Sequence, residues 1–181
     1  MRVLGLDPAA AGPTGFGVVD TDGRGKCRSV HFGALPAARR NARANGDSSA
    51  RLNEIHARIG ELVEKYSPDV VAVEGVFAAL NVKTALKLAE VRGVVLLAAA
   101  QKGVPVNTYS PREIKAVVAG YGHASKHQMQ QMVRAQLGLR ECPQLADAAD
   151  ALAVALCHIH SSRAAARLAS TPVPRTRIRP L

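Results

Sequence analysis

The chain has 181 residues, 48% of them hydrophobic, which is enough for one domain with a full core. Its formal net charge of +10 comes from 24 Lys and Arg against 14 Asp and Glu, and the excess is concentrated: residues 101–140 hold six basic residues and one acid, residues 161–181 five arginines and no acid. The longest apolar run, GVVLLAAA at 93–100, is far too short to cross a bilayer, Asp7 interrupts any signal-peptide core, and Cys27, Cys142 and Cys157 fit neither a zinc nor a disulfide pattern, so no membrane role is expected and the setting is a reducing, cytoplasmic one.

In chain order, the pattern predicts a strand at about 2–7, a turn at AAAGPTG, a second strand at GFGVVD and a third at SVHFGAL. The stretch 38–49 has no apolar periodicity and reads as a loop. A helix is predicted from about 48 to Tyr66, with Leu52, Ile55, Ile59, Leu62 and Val63 at helical spacing and Pro68 beyond its end. A buried strand at 70–74 follows, then a helix at about 81–101 expected to be among the most buried. After a short strand at PVNTYS, Pro111 opens a helix carrying Arg112 and Lys115, and Ser125 caps another carrying Lys126. The last helix is expected at about 144–160. The domain is placed at 1–164, with a basic, disordered tail over 165–181. This order implies an α/β layer fold in which an antiparallel meander is extended by parallel strands.

Three segments deliver carboxylates from apolar surroundings. Asp7 ends the run VLGL and Glu74 ends VVAV, and a charge at the end of a buried strand is hard to explain by packing. Asp147 and Asp150 stand three apart in ADAADALAVAL, one turn apart on a single helix face, among alanines small enough to let that face approach a sheet. For these two alone, a role in the helix's first turn, favoured by the macrodipole, is an equal reading. Together, the four acids suit a hard divalent cation with oxygen ligands, and a basic surface around them suits a polyanion whose phosphate is brought to the metal.

Five motifs carry a resemblance: GLDP at 5–8, VEGVF at 73–77, LNVKTALKLAEVRGVV at 80–95, YSPREIKAVVAGYG at 109–122 and ADAADALA at 146–153. Over about residues 1–160 the chain resembles the RuvC family of Holliday-junction resolvases. The resemblance implies a ribonuclease H-like fold, that is, a five-stranded mixed sheet flanked by helices, in a homodimeric, metal-dependent endonuclease that cuts four-way DNA junctions alongside a branch-migration motor. It assigns Asp7, Glu74, Asp147 and Asp150 to the catalytic metal centre, with two Mg²⁺ or Mn²⁺ ions per site. Phe77 resembles the family's aromatic wedge at the junction. Lys115 and Lys126 resemble its phosphate contacts, with Arg112 also on the DNA side. The family's Gly after the Asp-Pro pair is Ala9 here, and the turn before Thr14 and Gly15 is one residue longer.

Two other classes compete. An Asp after a strand, followed by a Thr-Gly hairpin, also occurs in actin-like ATPases, but those need two similar domains around the nucleotide. A non-catalytic junction-binding protein of the same fold would have no need of all four acids. Cys157, His158 and His160 form a CHIH sequence whose helical spacing does not converge on one metal, so they are read as packing and surface residues.

Overall fold

The computed structural model describes residues 1–35, 48–75 and 81–170. Strand β1 (Arg2–Asp7) pairs antiparallel with β2 (Thr14–Thr21), which pairs antiparallel with β3 (Cys27–Leu35) through an irregularity at Val18/Val19. On the other side of β1, β4 (Val70–Glu74) runs parallel to it, and β5 (Val106–Tyr109) runs parallel to β4. The resulting order, β3-β2-β1-β4-β5, is the meander extended by parallel strands that the sequence predicts.

The two-residue period of the strands sorts side chains onto two faces. Leu4, Leu6, Val18, Val71 and Val73 point to one face, where they pack on Ile55 and Ile59 of α1 (Ser48–Tyr66) and Val91 and Val95 of α2 (Val82–Gln101). Val3, Val19, Val70, Ala72 and Tyr109 point to the other. There they meet Ile114 and Val118 of α3 (Pro111–Ala119), Met129 and Val133 of α4 (Lys126–Leu137), and Leu152, Leu156 and Ile159 of α5 (Ala146–Ser170). Continuing the alternation by two residues puts Asp7 and Glu74 on the α5 face.

Helix α5 lies directly on the sheet because two glycines leave room for it. A Cβ on Gly5 would fall 2.2 Å from the Ala151 carbonyl oxygen, and one on Gly15 would fall 1.9 Å from that of Asp147. No side chain fits between these backbones, so the helix sits at the closest approach a sheet permits, with Ala151 and Ala155 filling the seam. From Ala148 to Ile159 every residue except Asp150 is buried, as expected of a helix that is apolar all round.

Two helices depart from expectation. Helix α2 is not among the most buried: Val91, Val95, Ala98 and Ala99 are covered, but Val82, Leu86 and Leu97 are 76%, 62% and 52% exposed. Its apolar run records hydrophobicity without specifying a partner inside the chain. Helix α5 continues to Ser170, past both the expected end at 160 and the boundary at 164/165. The extension is Ala164, Ala165, Ala166, Leu168 and Ala169, strong helix formers; since Leu168 is 77% exposed, propensity rather than burial extends it.

Candidate metal centre and nucleic-acid interface

Asp7 ends β1 directly opposite Gly15 of β2, the residue against which Asp147 packs. Leu6 pairs with Val73, so Asp7 and Glu74 end adjacent parallel strands, and Glu74 in turn pairs with Tyr109. Asp147 lies in the first turn of α5 and Asp150 in the next. Asp147 thus sits in the first turn of α5, and that turn lies against β2 beside the end of β1.

The electrostatics bind the four acids into one group. Burial first, and then the charges of Glu74, Asp150 and Asp147 together with a hydrogen bond to Glu74, push the Asp7 carboxyl up to about 8. Glu74 is also raised, chiefly by burial, with Asp150 adding to the effect while the hydrogen bond from Asp7 and the charge of Lys115 oppose it. A carboxyl held in its protonated form by burial and then by acidic neighbours is a site short of positive charge. The donor set is all oxygen, which fits a hard cation such as Mg²⁺ or Mn²⁺. Among the described residues no three acidic, His or Cys side chains already stand around one point at coordinating distance; Asp7 and Glu74 share a hydrogen bond, and Lys126 Nζ lies 3.2 Å from Asp150 Oδ2.

Beside these acids is a cavity of about 260 Å³ lined by Glu74, Asp150, Lys115, Lys126, Pro111, Ile114, Met129 and Ala153. The two lysines reach it from capped helix starts. In α3, Ser110 and Glu113 form a capping box with Pro111 in the first turn; in α4, Ser125 and Gln128 form another. Arg112 is exposed, packs its stem against Gly122 and does not line the cavity. Phe77 lies outside the described residues.

The CHIH sequence is structural. Cys157 is buried and free, His158 Nδ1 lies 2.7 Å from the Tyr109 hydroxyl, and His160 Nε2 lies 2.8 Å from Gln136 Oε1. Sequence reasoning missed Arg51, whose guanidinium binds the turn that follows Asp7. Nothing in its helical spacing distinguishes it from a solvated helix arginine.

The family pattern described as crossover junction endodeoxyribonuclease RuvC matches residues 3–158. The chain belongs to the RuvC family. A RuvC from Koribacter versatilis is 42% identical over 168 residues, covering 93% of this chain and 98% of the relative. One from Chloroflexus aggregans is 46% identical over 162 residues, covering 90% and 94%. Thermus thermophilus RuvC, solved in complex with Holliday junction substrate, superposes with a TM-score of 0.83 at 38% identity, covering 91% of this chain and 96% of that one. As a RuvC-family protein the chain is an endodeoxyribonuclease of crossover junctions, and the ribonuclease H-like architecture is that of its relatives. Among the described residues one five-stranded sheet forms rather than the two similar domains of an actin-like ATPase, and the matched family and relatives are named as nucleases rather than as non-catalytic binders. No described helix is long and apolar enough to cross a membrane.

Proposed function

We propose that Asp7, Glu74, Asp147 and Asp150 form the catalytic metal centre of this RuvC-family nuclease and that it resolves four-way DNA junctions by hydrolysing phosphodiesters in two opposing strands. The observation that carries this reading is that two strand ends and one helix start deliver the four acids to a single face of the sheet, where the other three act on the buried Asp7 carboxyl. They would hold two divalent ions, Mg²⁺ or Mn²⁺, which when bound supply an activated water and offset charge on the leaving oxygen. Asp7 and Glu74, both half-buried, fix the inner side of the site; Asp147 and Asp150, on the rigid start of α5, close it.

Lys115 and Lys126 line the cavity beside Glu74 and Asp150, where a phosphate approaching the acids would meet them. Each offsets charge that builds on the phosphate during cleavage. Lys126 is paired with the Asp150 carboxylate, and would be free to meet a phosphate if that carboxylate held a cation. Arg112, outside the cavity, is assigned to more distant backbone contact, and Phe77 to the junction wedge by family resemblance alone. Phosphate contacts position DNA without reading its sequence. Lys115→Ala and Lys126→Ala are therefore expected to lower cutting rates, to weaken binding similarly on junctions of different sequence, and to reduce the salt slope of binding by about one phosphate each. A change mainly in which sequence is cut would remove the phosphate assignment.

A homodimer places two such centres on one junction, and the exposed apolar residues of α2, Val82, Leu86 and Leu97, offer the contact surface. Partnership with a branch-migration motor and a cytoplasmic location are proposed on family membership only. The function is tested by metal-dependent cutting of a synthetic four-way junction.

A further inference from the structure

The segment 8–13 leaves Asp7 and re-enters the sheet at Thr14 and Gly15, so both of its ends belong to the proposed centre. Among the described residues it makes no backbone hydrogen bond of its own that would fix its path. One side chain from the opposite face of the sheet does so instead. Arg51, in the first turns of α1, donates from Nη1 to the Ala10 carbonyl at 2.8 Å and from Nη2 to the Ala9 and Gly12 carbonyls, both at 2.8 Å. Its Nε is buried with no partner among the described residues, and no described carboxylate forms an ion pair with it. The full charge of a partly buried guanidinium is thus directed at three carbonyl oxygens of one turn. The planar fork spreads these donors over two nitrogens in a fixed geometry, whereas a lysine ammonium gathers its three donors on one atom.

We infer that Arg51 is a positioning residue of the nuclease centre: by clamping the carbonyls of Ala9, Ala10 and Gly12 it fixes the turn between Asp7 and Gly15, and with it the orientation of the Asp7 carboxylate toward Glu74 and α5. The inference rests on Asp7 being part of the metal centre.

Arg51→Lys and Arg51→Gln, prepared beside Asp7→Asn, test this with four readings on the full chain: single-turnover cutting at saturating junction across a Mg²⁺ series, junction affinity in EDTA, Mn²⁺ binding without DNA by titration calorimetry, and amide hydrogen exchange over residues 9–15. Supporting groups behind metal ligands commonly contribute 10–100-fold to affinity or activity. Both Arg51 variants are expected to cut about 10–100-fold more slowly, to bind Mn²⁺ more weakly and to exchange faster in the 9–15 turn, while junction affinity stays within about twofold of wild type. Retention of charge in Arg51→Lys should not rescue them. Wild-type cutting and Mn²⁺ affinity in Arg51→Lys, with Asp7→Asn inactive, would overturn the Arg51 role alone. Accelerated exchange throughout the chain, with Mn²⁺ affinity unchanged, would also overturn it by showing a general stabilising contact. Full activity of Asp7→Asn would overturn the metal-centre reading and this inference together.

Discussion

Asp7→Asn is expected to abolish junction cutting and, in the same protein, to raise the melting temperature of the metal-free form at pH 8. Loss of activity follows from losing a ligand: because partners behind a ligand already contribute 10–100-fold, the ligand itself should contribute more than about 100-fold. The stability gain follows from linkage. Asp7 has an ordinary value of 3.8 and is raised to about 8 in the fold by burial and its acidic neighbours. Between these values the folded chain holds a proton that the unfolded chain has released. Stability from this group is therefore full below about pH 4 and is lost as pH rises through about 8, at up to about 1.4 kcal/mol per unit of difference. A neutral amide removes that loss. At about 2–4 °C per kcal/mol for a chain of this size, the difference is readable by thermal melting. Wild type without metal should melt lower at pH 8 than at pH 5, Asp7→Asn should show a flatter profile, and added Mg²⁺ should restore wild type more than the variant. Glu74→Gln, Asp147→Asn and Asp150→Asn are expected to be equally inactive yet to retain junction binding. Near-normal cutting by any one of the four would remove that residue from the centre.

Gly15→Ala is expected to damage stability and catalysis together, although it adds one methyl group and changes no charge. That methyl would lie 1.9 Å from the Asp147 carbonyl oxygen, a backbone atom with no rotamer by which to yield, so α5 must move. Overpacking of this kind costs about 1–3 kcal/mol. Shifting Asp147 and Asp150 by even about 1 Å relative to Asp7 and Glu74 can cost about 100-fold in rate. Gly23→Ala is the control, since a Cβ there meets nothing within 4 Å and both properties should be retained. A Gly15→Ala protein with wild-type melting and cutting would show that α5 does not need to sit against β2 for the centre to work.

The parts of this architecture that sequence exposes are those where one residue type contradicts its surroundings. Asp7 and Glu74 stand out because each ends an apolar strand, whereas Asp147 and Asp150 read equally as first-turn carboxylates until the strand-end acids are set beside them. The capped starts of α3 and α4 were legible from Pro111 and Ser125, and so were the lysines they carry. What escaped depends on through-space contact. The run that forms α2 is apolar enough for a core helix or for a face between two copies of the chain, and only through-space contact separates buried Val91 and Val95 from exposed Leu86 and Leu97. The arginines after residue 162 resembled a solvated tail, whereas the alanines between them sustain the helix to Ser170. Arg51 binds a turn about 40 residues away in sequence, separations that the individual bonds put at 39 to 42, and no local period encodes such a contact. Gly15 is a loop-like glycine in sequence and becomes the seat of Asp147 only once α5 is folded over it.

The central claim, that one centre of four carboxylates per chain cuts crossover DNA in symmetric pairs, is tested most directly by strand mapping on a synthetic four-way junction labelled in turn on each strand, in Mg²⁺ or Mn²⁺, with the active species sized by sedimentation. Metal-dependent nicks are expected at matching positions in two opposing strands, with little cutting of the corresponding linear duplex and an active species of twice the 19.0 kDa chain mass. Cutting that persists in EDTA, falls equally on linear duplex, or comes from a monomer that nicks one strand only would contradict it.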